Sequence, residues 1–176
     1  MFKLLVILTI LISNLNATSL KNLSYQQKEV LSYVYSKAKE FNLSLTMTAI
    51  AWQESQFGRY ELSLSDPSCG IFHVMPAILA VKVGLQNDSW NRSRLCERLI
   101  TDRDFSFSAA LLELKYWQNY WEAEHVSRVW SHMVASYNGG FNINIKTNIY
   151  LKNIKAKIRL LKKYLKEKNE NKNINQ

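Results

Sequence analysis

The sequence predicts a predominantly α-helical α+β domain, and three observations carry that expectation. Apolar residues recur at helical spacing in several separate stretches on both sides of residues 59–75. Within 59–75 that periodicity breaks around the turn-forming Asp66-Pro67-Ser68. A chain of 176 residues holds one well-packed domain and is short for two.

In chain order, Ser24-Tyr25-Gln26-Gln27 reads as a capping box, with the Ser24 hydroxyl and the Gln27 amide each satisfying a free helix-start amide. Val30, Leu31, Val34, Tyr35, Ala38 and Phe41 then share one face as far as Asn42, which predicts a scaffold helix. A second helix is predicted from Thr46, carrying Ala49, Ile50, Trp52, Gln53 and Glu54 and ending near Gly58. Ser63-Leu64-Ser65 and Ile71-Phe72-His73-Val74 predict two short extended pieces forming a small irregular or hairpin lobe. Pro76 at a first helical position and Gly84 bracket a short helix, and Asn87-Asp88-Ser89 opens a loop toward Arg92-Ser93-Arg94-Leu95. Helices are then predicted over 105–124, over 125–135 with a stop at Tyr137-Asn138-Gly139-Gly140, and over 149–165 with Ile154, Ile158, Leu161 and Leu165 in one stripe. The sequence shows no internal repeat.

Met1-Phe2-Lys3 precedes an apolar run of roughly 10 residues, too short to span a bilayer as a helix. Residues 1–17 therefore read as a secretory signal, with Leu15 and Ala17 offering a processing site and Thr18 starting the mature chain. An uncleaved anchor is the alternative, and a lipoprotein is disfavoured because no cysteine ends the run. Export puts Cys69 and Cys96, an even pair, into an oxidising compartment where a bridge between them would persist, although two buried reduced thiols fit the same spacing. Neither cysteine has a ligand-spaced partner and His73, His125 and His132 are scattered, so no metal is expected.

A formal charge of +9 favours an acidic partner through long-range steering. Much of that charge lies in residues 152–172, and the basic, asparagine-rich stretch 166–176 is too poor in apolar groups to pack, which predicts a disordered tail after a domain spanning 18–165. Nucleic acid is not expected as a partner, since no recognition motif is present and export separates the chain from it.

The segments with chemical content are Ala51-Trp52-Gln53-Glu54-Ser55-Gln56-Phe57, Gly70-Ile71-Phe72-His73-Val74-Met75-Pro76 and Ala135-Ser136-Tyr137-Asn138-Gly139-Gly140. A general acid must stay protonated near neutral pH, and apolar surroundings achieve this by disfavouring the carboxylate. Glu54 has Ile50 one helical turn before it, with Trp52 and Phe57 close by. Taken alone, the same pattern describes a water-exposed glutamate at a helix end.

These three segments in this order resemble the soluble lytic transglycosylase (SLT) family, lysozyme-like enzymes that cut bacterial cell-wall glycan; the resemblance runs from about Ser24 to Leu161. It implies a lysozyme-like fold, a periplasmic location, no cofactor, and Glu54 as the single catalytic carboxylate with Ser55 beside it. Glu54 would protonate the bond between N-acetylmuramic acid and N-acetylglucosamine, the substrate acetamido group would stabilise the sugar cation, and the same carboxylate would then take the C6 hydroxyl proton to leave a 1,6-anhydro end. His73 stands where the family has glutamine; an imidazole also offers a donor and an acceptor, but with different reach. Met75 and Pro76 match the family pattern, Tyr137 and Asn138 would line the cleft, and Tyr150 would hydrogen-bond Glu54.

A lysozyme-type hydrolase would need a second carboxylate within roughly 5–10 Å of the first, for which Glu61 and Asp66 are the nearest in sequence. A third reading is a catalytically weak wall-binding module. The aromatic series Tyr116, Trp117, Tyr120, Trp121 and Trp130 has helical spacing and is expected to pack in the core. The expected partner is the peptidoglycan glycan strand, bound by a monomer, and the single compact module is compatible by analogy with a secretion, conjugation or flagellar assembly.

Overall fold

The computed structural model describes residues 20–63 and 66–174. The signal reading for residues 1–17 lies outside the described residues, as do Leu64 and Ser65 of the expected hairpin.

The chain is mostly helical. Seven α-helices are described: α1 (Tyr25–Lys37), α2 (Ser44–Ser55), α3 (Pro76–Lys82), α4 (Ser89–Thr101), α5 (Arg103–Ala123), α6 (Val129–Gly139) and α7 (Ile145–Ile174). The capping box at α1 forms as its sequence dictates, Gln27 N donating to Ser24 Oγ at 3.2 Å and Ser24 N to Gln27 Oε1 at 3.0 Å. After α1 the predicted continuation to Asn42 tightens into a 3-10 turn, Ala38–Phe41.

Helix α2 is the centre of the domain. Met47, Ala49, Ile50 and Ala51 are fully buried on successive faces, the signature of a helix surrounded by other elements. It packs between α1 and α7, while α5 packs on α6 and α6 on α7. Its end falls near Gly58, as expected, with the stop made by the residues just before it. Gln56 and Phe57 already take left-handed backbone (φ 51° and 59°), with their amides returning to Trp52 O and Ala51 O. The Gln27 side chain, donating to Gln56 O at 2.8 Å, locks the stop from α1.

The extended pieces expected in the middle are reduced to isolated bridges, Leu62 with Cys69 and Cys69 with Val74, so among the described residues no β-ladder forms. The reason lies in the turn between Cys69 and Val74, which exchange both backbone hydrogen bonds at 3.0 Å while Gly70 (φ 78°) and His73 (φ 47°) adopt left-handed backbone. Gly70 admits no other residue, since a Cβ there would lie 2.4 Å from Leu99 O. The Cys69–Cys96 disulfide is formed, with Cα atoms 5.3 Å apart, and ties this turn to α4.

Helix α4 replaces the expected loop. Asp88 caps it through Asn91 N at 2.8 Å, and Leu95 and Leu99, one turn apart, are its buried residues. Helix α6 runs past the predicted stop, so that Tyr137, Asn138 and Gly139 form its last turn. Helix α7 begins at Ile145, where the Asn144 carboxamide accepts from Lys146 N and Thr147 N, and continues to Ile174. Residues 166–174 are thus helix where composition predicted a disordered tail. Lysine and glutamate are good helix formers, and the pairs Lys166–Glu170 (3.8 Å) and Lys21–Glu167 (3.3 Å) add modest support to an already nucleated helix.

Candidate active site

Glu54 sits one residue before the end of α2, where the buried helix meets the surface. The apolar shell that buries its neighbours also strips water from its carboxyl, which raises its pKa from 4.5 to about 7. The hydrogen bond from Tyr150 opposes this rise, the negative field of Asp66 adds to it, and the positive field of Lys157 subtracts from it. A carboxyl titrating near 7 is protonated often enough at neutral pH to deliver a proton and ionised often enough to recover one.

The two carboxyl oxygens have different neighbours. Tyr150, buried on α7, donates its hydroxyl to Glu54 Oε1 at 2.6 Å. Glu54 Oε2 faces His73 Nδ1 at 3.8 Å. His73 Nε2 lies 2.6 Å from the Tyr60 carbonyl, which can only accept, so the imidazole carries its hydrogen on Nε2. With the ring uncharged, Nδ1 therefore presents a lone pair toward Glu54. Because Oε1 already accepts from Tyr150, the acid proton belongs on Oε2, the oxygen beside His73.

His73 and Tyr137 open onto a cavity of about 510 Å³. Met75 and Ile78 from the start of α3, Tyr116 and Trp117 from α5, and Asn138 at the end of α6 complete its main walls. Tyr137 is buried at its hydroxyl, which donates to Phe72 O at 2.9 Å, and burial holds its pKa well above the usual tyrosine range. The same burial, reinforced by Glu54, raises Tyr150, so both phenols stay protonated donors.

Of the residues singled out from the sequence, the structure brings Glu54, His73, Tyr137 and Tyr150 together and sets Met75 and Asn138 on the cavity wall. Ser55 is not with them. It is fully buried, donates to Ile71 O at 2.6 Å and accepts from Gly58 N at 2.8 Å, so it fastens the end of α2 to the Gly70 turn. Glu61 is not among the charges that Glu54 feels; its own pKa is raised by burial and drawn down by Arg103. The aromatic series divides: Trp117 is buried and Trp130 is tied to Thr46, whereas Tyr116 is 42% exposed on the cavity rim.

Three features near the acid or in the cavity wall escape the sequence reading. Lys157, one helical face along from Tyr150 at i+7, donates to Gln53 Oε1 at 2.8 Å and places a cation near the acid; burial lowers its pKa. Lys82 and Glu113 pair at 2.5 Å in the cavity wall, with Glu113 also accepting from Trp117 Nε1 at 2.6 Å. Phe141, 61% exposed after Gly140, closes the far end. The Lys157 spacing was readable, while the other two depend on contacts between distant segments.

No protein-family model, curated protein or solved structure matches this chain. The function therefore rests on the site and on the order of its motifs.

Proposed function

We propose that this protein is a periplasmic lytic transglycosylase of lysozyme-like fold that cleaves the glycan strands of peptidoglycan, with Glu54 as its general acid and base. The observation that carries this reading is a carboxyl raised to about 7 and held by Tyr150, beside a cavity walled by His73, Tyr137 and Met75. Those residues are the ones through which the sequence resembles the SLT family.

In this mechanism Glu54 Oε2 gives its proton to the glycosidic oxygen as the bond to the muramic acid C1 breaks. The acetamido oxygen of the same sugar satisfies the electron-poor C1. Glu54, now a carboxylate stabilised by the Tyr150 hydroxyl, takes the proton from the C6 hydroxyl, whose oxygen bonds to C1 and releases the acetamido group. The carboxyl ends as it began, and no water is consumed.

Asp66, whose negative field reaches Glu54, favours one competing reading: a hydrolase in which a second carboxylate assists attack on the sugar. Mass spectrometry of fragments released from isolated peptidoglycan separates the two. Fragments ending in 1,6-anhydro-muramic acid, absent with Glu54→Gln, support the transglycosylase. Reducing-end fragments one water heavier, lost with Asp66→Asn, would establish the hydrolase, and binding without fragments across pH would leave a wall-binding module.

A further inference from the structure

A second concavity, about 700 Å³, lies at the other end of α2, where Ser44, Leu45 and Thr46 begin the helix. At 1.5 Å per residue, that is roughly 12–15 Å along the axis from Glu54. Its lining includes four cations, Lys39 from the 3-10 turn and Lys155, Arg159 and Lys162 from α7, all exposed, and no aspartate or glutamate. Steps of four and three along α7 put its three cations on one face. The sequence of α7 holds no acidic residue before Glu167, so the helix itself supplies no counter-charge along this face.

A minority of the described cations are paired, among them Lys82 with Glu113, Lys37 with Asp104 and Arg98 with Asp102. Among the described residues none of the four groove cations forms an ion pair. Lys39 and Lys155 instead lie over the rings of Tyr35 and Trp130, 5.6 and 5.8 Å from the centroids. Trp130 is held in place by donating from Nε1 to Thr46 Oγ1 at 3.0 Å. Converging like charges repel one another, and an anionic occupant relieves that repulsion.

We propose that this groove docks an acidic peptide segment of a partner protein. Its carboxylates would lie between Lys39 and the cations of α7, and its backbone and methylenes would lie against Tyr35, Trp130 and Ile158. Apolar Tyr35, Trp130 and Ile158 set among the cations suit a peptide, which carries methylenes beside its carboxylates. Such a contact leaves the Glu54 cavity free and would hold the protein at a partner while the acid remains accessible.

The test is fluorescence anisotropy of fluorescein-labelled decaglutamate against the full chain, at rising salt, with vesicles containing phosphatidylglycerol run in parallel. Lys155→Glu/Arg159→Glu should weaken peptide binding by about tenfold or more. Lys28→Glu/Arg94→Glu, which changes net charge equally at exposed sites outside the groove, should change it by less than about twofold. Trp130→Phe should weaken binding with the fold intact by circular dichroism. The proposal is overturned if decaglutamate does not bind at low salt, or if both charge-reversed pairs weaken it equally, which would mean diffuse attraction. It is also overturned if the vesicles bind through Lys155 and Arg159 while the peptide does not.

Discussion

Replacing Glu54 with glutamine should stabilise the protein, and only at the alkaline side. Glutamine keeps the shape of the side chain and an oxygen to accept from Tyr150, but it never ionises. In the wild type, burial raises the Glu54 pKa from 4.5 to about 7. A folded-state pKa above the unfolded value means that stability is fully present below pH 4.5 and is lost as pH rises through 7. At about 1.4 kcal/mol for each pH unit between those values, the wild type falls behind the variant by about 3 kcal/mol above pH 7. Other carboxylates titrate alike in both proteins and cancel from the difference. Urea unfolding of the two proteins at pH 4 and pH 8 measures it. Equal stability at pH 4 and a gap of about 3 kcal/mol at pH 8 is the expected result. A gap that does not change with pH, or a wild type that is the more stable at pH 8, would refute the buried-acid reasoning independently of the proposed activity. Under the proposed function the variant should also lose glycan cleavage, pairing gained stability with lost activity.

Three further outcomes follow from other contacts. Tyr150→Phe removes the hydrogen bond that favours the Glu54 carboxylate, so the carboxyl titration, followed by carbon-13 NMR, should move upward by roughly one to two pH units; an unmoved titration would show that the bond is not made in solution. Gly139→Ala should cost about 1–3 kcal/mol, because its Cβ would lie 2.2 Å from Thr147 Cγ2, and adding Thr147→Ser, which deletes that methyl but keeps the hydroxyl bonds to Asn144, should restore the melting temperature. Cys69→Ser/Cys96→Ser opens a loop of sequence separation 27 and should cost roughly 3–4 kcal/mol by loop-closure entropy, read as a lower urea midpoint with an unchanged helical spectrum.

Helices with a broad apolar stripe or a local start signal were legible in the sequence. Ser24 and Gln27 announce α1 through atoms only three residues apart, and the apolar spacing of α5 and α7 fixes their faces whatever they pack on. Helix α4 was missed although Asp88 caps it and Leu95 and Leu99 lie one turn apart, because the turn-forming Asn87-Asp88-Ser89 and the polar residues after it read as a loop. The tail was misread because composition measures whether a segment can build a core, whereas 166–174 needs only to extend a helix that Ile154 and Leu161 have already anchored.

At the site the division is similar. The sequence by itself determined which side chains carry chemistry, because glutamate, histidine and tyrosine are chosen for their acid strength and donor capacity, properties of the residue. Only the tertiary structure decided what those groups do. The shift of Glu54 to about 7 is a property of the water excluded around it; the bond to Tyr150, 96 residues away, requires α2 and α7 to pack; and the role of Ser55 as a fastener follows from which way the helix end faces. The groove at Lys39 was invisible for the same reason, since four cations become a site only when the 3-10 turn and one face of α7 are brought together around Trp130.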